Sequence, residues 1–254
     1  MSGGHGFRLD GRRVLITGAS RGLGQAIAIE FAKAGAQLAV AARDPRHLGG
    51  TLGALRDLSV VGHALGADLE EEEAPGDLVC DAADALGGLD VVVNNAALGG
   101  GAANGRLTIE GYRRMVRVNL RAPVMIMQAA RSFLNQSNNG AIINLSSIMA
   151  VAGGAGPYGP LKAALVSYTI GLARKWGAEG IRVNGIAPGV IETDMTAGML
   201  MDRRWVPRFA EGVALRRHGE AREVAQVARF LASDAASYVT GAVIPVDGGW
   251  VHQY

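Results

Sequence analysis

Cysteine is almost absent: Cys80 stands alone in 254 residues. A single thiol excludes an intrachain disulfide and fits a reducing compartment, so a cytoplasmic location is the expectation. Its place after Asp77-Leu-Val, in a helical stretch of mixed polarity, predicts a buried structural thiol and not a nucleophile. No apolar run reaches the roughly 20 residues of a membrane span. The start Met-Ser-Gly-Gly-His-Gly lacks the hydrophobic segment of a secretory signal, and residues 1–7 read as a disordered tail. Charge of one sign is missing too. With 25 basic and 23 acidic side chains the net charge is +2, so no nucleic-acid or membrane surface is expected. His5, His47, His63, His218 and His252 are scattered without ligand spacing, which speaks against a catalytic metal. No repeat or low-complexity linker divides the chain, and residues 8–254 read as one domain.

What the chain has in excess is glycine, 37 residues, and a regular alternation of short apolar runs with helical periodicity. Strands are expected at 13–17, 37–42, 60–67, 89–94, 141–145, 181–187 and 242–246. Helices are expected at 23–34, about 48–58, 108–131, 158–176 and 220–232. The run Glu70–Glu73 is expected to open one more helix, as a solvated start at the positive end of its dipole. Strand 89–94 is nearly all β-branched and should be covered on both faces. Strand–helix alternation means α/β: three layers around a doubly wound parallel sheet of about seven strands. Residues 195–217, irregular and rich in Met and Arg, form either a substrate lid or a plain surface excursion.

Thr17-Gly-Ala-Ser-Arg-Gly-Leu-Gly24 joins the first strand to the first helix. Gly18, Gly22 and Gly24 permit a tight turn and close backbone approach, and the helix start offers N–H groups to a pyrophosphate. No Lys-Ser or Lys-Thr follows, which disfavours a nucleoside-triphosphatase loop. The second strand ends in Ala42-Arg43, where a carboxylate would have favoured free ribose hydroxyls. Arg43 and Arg21 instead suit a 2′-phosphate, so NADP(H) is expected over NAD(H), with NAD(H) possible. The other reading leaves Arg43 in solvent and gives the ribose to Asp44. Asp68 either accepts the adenine amino group or caps a helix. Asn94-Asn95-Ala-Ala offers short residues against which a cofactor can lie.

Tyr158 and Lys162 stand four residues apart on one helix face, where the cation can lower the phenol's pKa. Ser146 lies twelve residues before the tyrosine. From residue 8 to 249 the chain resembles the short-chain dehydrogenase/reductases. The resemblance is carried by Thr17-Gly-x-x-x-Gly-x-Gly24, Asn94-Asn-Ala, Asn119, Ser146, Tyr158-x-x-x-Lys162, Pro188-Gly189 and Val246-Asp-Gly-Gly249. It implies a Rossmann fold and a catalytic tetrad of Asn119, Ser146, Tyr158 and Lys162. Tyr158 would be the general acid in reduction and base in oxidation, and Ser146 would hold the substrate oxygen. Lys162 would hold the nicotinamide ribose and lower the tyrosine's pKa. Asn119 would hold a relay water. By family register Ser147 falls outside the main role and would only line the pocket. Gly18, Ser20, Arg21, Gly22, Leu23, Gly24, Arg43, Asp68, Leu69, Asn95, Ala96, Tyr158, Lys162, Pro188, Gly189, Ile191 and Thr193 would contact the cofactor. Ser146, Ile148, Tyr158 and Met195 would contact the substrate. Ala97, Pro160 and Leu161 depart from the family pattern, where Gly, Ala and Ser are usual.

The substrate pocket is expected from 148–155, the loop after Asn95, and 195–209. Met149, Val151, Met195, Met199 and Trp205 make it partly apolar; Arg203, Arg204 and Arg208 either attract an anion or are solvated, and Gly153 and Gly154 leave its wall short. The expected activity is NADPH-dependent reduction of a ketone to a secondary alcohol. The alternatives are an NAD-dependent secondary-alcohol dehydrogenase, an epimerase or dehydratase, and a non-catalytic dinucleotide sensor or scaffold. The resemblance also implies a homotetramer (or homodimer) joined through two long helices and the C-terminal strand, with Val118, Met125, Met127 and Ala129 as a compatible apolar stripe.

Overall fold

A computed structural model describes residues 7–99, 102–103, 106–153, 156–201 and 211–250. In chain order the strands are β1 (Arg13–Thr17), β2 (Gln37–Ala42), β3 (Gly62–Gly66), β4 (Val91–Asn94), β5 (Ala102–Ala103), β6 (Arg106–Leu107), β7 (Ala141–Leu145), β8 (Arg182–Pro188), β9 (Ile191–Glu192), β10 (Gly219–Glu220) and β11 (Val243–Val246). The helices are α1 (Gly22–Lys33), α2 (Gly49–Asp57), α3 (Ala74–Leu86), α4 (Ile109–Val116), α5 (Ala122–Leu134), α6 (Met149–Ala152), α7 (Tyr158–Trp176), α8 (Ala197–Leu200) and α9 (Ala221–Ala232). Seven strands make one parallel sheet in the order β11-β8-β7-β4-β1-β2-β3. The chain winds outward from β1 to β3, returns to β4, and winds the other way. That reversal opens a crevice beyond the carboxyl ends of β1 and β4, where ligands bind in such sheets.

The strand period of two decides which side chains enter which layer. Val14 and Ile16 of β1 face a core shared with Ile27 and Phe31 of α1 and Val224 and Leu231 of α9. Leu15 faces the other core, with Val79 of α3, Ile126 of α5 and Trp176 of α7. All of β4 is buried, as its β-branched residues require. Among the described residues no helix is long and apolar enough to cross a membrane.

Several expected details change. Glu70 does not open α3; its carboxylate is drawn to Arg114 and Arg117, and the helix starts at Ala74 with Pro75 in its first turn. The helix expected over 108–131 is widened by a π turn at Arg117–Arg121. Pro123 has no N–H to offer the Asn119 carbonyl four residues earlier, and the ladder adjusts there. Val118 and Met127 of the proposed stripe are buried in the chain itself, and of the four only Met125 is exposed, at 46%. Cys80 is exposed because α3 turns Leu78, Val79, Ala82 and Ala83 inward instead. Residues 1–6 lie outside the described residues, while Phe7 packs on Phe230 at 5.9 Å between ring centroids.

At the foot of the sheet Asp90 receives three bonds from Arg13. Its backbone N–H and Nε reach Oδ2 and its Nη2 reaches Oδ1, each at 2.9 Å. Burial acts to raise the Asp90 pKa, but the bonds from Arg13 and Ser137 outweigh it and hold the value at about 2, below the ordinary 3.8. A depressed carboxylate stabilises the fold above its unfolded pKa and ceases to as pH falls through the folded one. Urea unfolding between pH 5 and 2 should therefore show a loss of about 2 kcal/mol from this group. The Asp90→Asn variant should lack that part of the slope; an unchanged slope would show that other carboxylates cause it.

Candidate active site

The turn after β1 closes where backbones nearly touch. Gly18 has φ +64°, and a Cβ there would lie 2.8 Å from the Ala96 Cα. A Cβ on Gly24 would collide with the Gly18 carbonyl and stand 2.5 Å from Asn95 Nδ2. Three side chains hold the turn. Asn95 Nδ2 donates to the Thr17 and Gly18 carbonyls at 2.9 and 3.0 Å. Thr17 Oγ1 accepts from the Asn95 and Ala96 N–H groups. Thr51, wholly buried on α2, donates to the Ala19 carbonyl at 2.7 Å. Arg21, at the N-cap of α1, gives no side-chain acceptor to the first turn, so the positive end of the helix faces the crevice. Arg43 leaves β2 as an exposed side chain. Asp44 is committed elsewhere: the Arg46 side chain and backbone N–H hold its pKa at about 2. Asp68 accepts from the Glu70 N–H at 3.0 Å, a turn contact and not a cap on α3. Leu69 beside it is buried.

Across the crevice, β7 and α7 are fastened by a reciprocal pair of bonds. Lys162 Nζ donates to the Leu145 carbonyl at 2.6 Å, and Ser146 Oγ donates to the Lys162 carbonyl at 3.1 Å. Ser146 is therefore spent on the scaffold, contrary to the role expected for it. The hydroxyl that acts on the Tyr158 phenol, lowering its pKa in part, is that of Ser147. The phenol's pKa also departs from expectation: burial raises it, and the Ser147 hydroxyl lowers it only in part. Lys162 Nζ lies 5.6 Å from the centroid of the Tyr158 ring, over its face. Burial lowers the Lys162 pKa from 10.5 to about 8. Asn119, in the π turn, accepts from the Leu98 N–H at 2.7 Å and donates to the Leu98 carbonyl at 2.9 Å. It fixes the loop after β4, and a relay water on its amide would have to use the capacity Leu98 leaves.

Pro188 and Gly189 end β8, where a Cβ on Gly189 would lie 2.7 Å from the Asp247 Cα. Ile191 is buried at the β9–β10 ladder, which ties the two ends of the segment expected as a lid. Ile148 is buried after Ser147. Met195 packs against Gly99, where a Cβ would lie 3.2 Å from its Sδ. Gly154, Arg203, Arg204, Trp205, Arg208 and Phe209 lie outside the described residues, as does the side chain of Met199.

The family described as Enoyl-(Acyl carrier protein) reductase matches residues 18–251. A 3-oxoacyl-(acyl-carrier-protein) reductase of Pseudomonas aeruginosa is 36% identical over 243 residues, 95% of this chain and 98% of that one. A solved structure described as a short-chain alcohol dehydrogenase of Sinorhizobium meliloti is 41% identical, with a TM-score of 0.93, covering 98% of this chain and 99% of that one. One described as a 2-deoxy-D-gluconate 3-dehydrogenase of Agrobacterium tumefaciens, with bound NADP, is 35% identical with a TM-score of 0.90, covering 98% and 100%. The chain belongs to the short-chain dehydrogenase/reductase family of oxidoreductases.

Within this family frame, three contributors escaped the sequence reading. Ser147 was set aside in favour of its neighbour, and Thr51 and Asp194 lie on other elements with no local signal. Asp194 pairs with Arg21 across the mouth of the crevice, Nη1 to Oδ2 at 3.4 Å. The residues fit a dinucleotide: a tight glycine turn, an uncapped helix start, and the basic groups Arg21 in that turn and Arg43 after β2.

Lys162 yields a stability test. A lysine whose folded pKa is depressed binds fewer protons than the unfolded chain between about 8 and 10.5, so the fold gains stability as pH rises through that window. Relative to Lys162→Met, the wild type should gain up to about 1.4 kcal/mol per pH unit there. Parallel unfolding curves for the two proteins from pH 8 to 10 would show that the buried amine is not the titrating group.

Proposed function

We propose that this protein is an NADP(H)-dependent oxidoreductase that reduces a ketone to a secondary alcohol. The observation that carries the reading is the Tyr158 phenol at the start of α7, with Lys162 Nζ 5.6 Å from its ring centroid and burial favouring its protonated form. A protonated phenol is a proton donor, as carbonyl reduction requires. Arg21 and exposed Arg43 support a phosphorylated dinucleotide, as does the NADP in the Agrobacterium structure. The reductase named in Pseudomonas supports the direction.

Bound against the α1 terminus, the nicotinamide cofactor supplies the hydride. Gly18, Ser20, Gly22, Leu23 and Gly24 let its pyrophosphate approach the backbone, with Arg21 and Arg43 on the 2′-phosphate. Asp68, Leu69, Asn95 and Ala96 border its adenosine side, and Pro188, Gly189, Ile191 and Thr193 its nicotinamide side. Tyr158 gives its proton to the substrate oxygen, and Ser147 donates a hydrogen bond to that oxygen as charge grows on it. Ser146 and Lys162 hold α7 against β7, and the ammonium of Lys162 is placed under the phenol ring. Asn119 fixes the Leu98 backbone at the rim. Ile148, Val151 and Met195 give the substrate side an apolar wall; Val151 and Met195 are 62% and 59% exposed. A homo-oligomer belongs to the same reading, supported by exposed Ile109 and Tyr112 on α4 and Met125 on α5.

The test combines fluorescence titration of NADPH and NADH with a carbonyl panel followed by NADPH oxidation. Tyr158→Phe should abolish turnover while keeping cofactor affinity. Ser147→Ala should lower kcat by about 10²–10³. Ser146→Ala should instead cost about 1 kcal/mol of stability and much less activity. Oxidation with no carbonyl in the wild type sinks the reductase reading, and a larger kcat loss in Ser146→Ala than in Ser147→Ala reverses the serine assignment.

A further inference from the structure

Arg21 has a second claimant within the protein. Its guanidinium pairs with Asp194 at 3.4 Å, and both side chains are mostly exposed. The contact is part of a wider approach, because the Thr193 side chain rests on the first residue of α1. A Cβ on Gly22 would lie 3.6 Å from Thr193 Cγ2. The turn that carries Asp194 is itself held. Thr196 Oγ1 accepts from the Thr193 N–H at 3.1 Å, and the Ala197 N–H donates to the Thr193 carbonyl at 2.9 Å. The carboxylate is thus positioned over the mouth of the glycine turn. Arg43, by contrast, has no ion-pair partner among the described residues.

We infer that Asp194 is a specificity-determining residue that competes with the 2′-phosphate of the cofactor for Arg21. The inference rests on the reading of Arg21 as a phosphate-binding residue. A cofactor without the phosphate leaves the Arg21–Asp194 pair in place, and the 193–197 turn stays on α1. A cofactor with it takes the guanidinium and leaves Asp194 as an unpaired carboxylate near a new anion. Asp194 therefore opposes the phosphorylated cofactor selectively, and removing its charge should favour that cofactor alone.

An exposed ion pair is worth about 0.2–1 kcal/mol, which corresponds to a factor of up to about five in affinity. Fluorescence titration at low salt should show NADPH binding two- to fivefold tighter, on the order of one pair, in Asp194→Asn than in the wild type. NADH affinity should be unchanged. In an Arg21→Ala background the same substitution should have no effect on either cofactor, and added salt should shrink the gain. Wild-type protein that does not bind NADPH in preference to NADH overturns the reading of Arg21, and the inference with it. A wild type that prefers NADPH, combined with an equal shift for both cofactors, no shift, or a shift that persists without Arg21, overturns the role of Asp194 alone.

Discussion

The active-site edge depends on the reciprocal clamp between β7 and α7. Lys162 reaches down to the Leu145 carbonyl, and Ser146, the next residue of the chain, reaches back to the Lys162 carbonyl. Both partners are buried, so water cannot replace either bond cheaply. A helix that slid by one residue would move about 1.5 Å and lose both. The deeper chain Asn94–Asn144–Thr169 repeats the tie, with amide-to-amide and amide-to-hydroxyl bonds of 2.9 Å crossing β4, β7 and α7. Tyr158 opens the helix thus fixed, and Ser147 stands two residues past the end of the strand. Their mutual placement is inherited from the clamp, so a residue with no chemical part still helps to set the geometry of the site.

A second frame sets the glycine turn. Asn95 spends its amide on the Thr17 and Gly18 carbonyls, and Thr51 holds Ala19 from another helix. The two frames meet at the ends of β4 and β7, neighbours in the sheet. Leu98, gripped from both sides by Asn119, continues the chain away from that junction. The crevice is therefore bounded by elements bonded to one another and not by independent loops. Cofactor side and proton-donating side are held in register by the same sheet.

Much of this was legible from residues alone. The alternation of Val14, Leu15 and Ile16 announces a strand with two covered faces, and the parallel, doubly wound character of the sheet follows from strand–helix alternation. The glycines announced the turn, and the four-residue spacing of Tyr158 and Lys162 announced a shared helix face. The choice between Ser146 and Ser147 is hard from sequence for a definable reason. Adjacent residues at a strand end point to opposite sides, and a count to the tyrosine cannot say which hydroxyl faces it. The backbone can: Ser146 still donates its N–H to Ile186, so it belongs to the ladder, and Ser147 has left it. Cys80 failed differently, since the helical period placing Leu78, Val79, Ala82 and Ala83 inward already leaves residue 80 outside. The pairing of Lys162 with a carbonyl, and of Arg21 with Asp194, is tertiary and had no local signature.

Burial moves the two ionisable groups of the site in opposite senses of charge but toward the same state. The phenol keeps its proton and the amine tends to lose one, so both are pushed toward neutrality. Around them the positive features lack a full answer within the protein: an uncapped α1 terminus, exposed Arg43, and a lysine compensated by one carbonyl. Of the carboxylates around this edge, Asp44 is paired with Arg46, Glu70 with Arg114 and Asp194 with Arg21. An edge so arranged is electrostatically completed by a ligand with several separated negative charges, as the proposed cofactor has. Those charges would also raise the Lys162 pKa again, because an opposite charge favours the ammonium. Occupancy would then hold the Lys162 ammonium beside the phenol over a wider range of pH.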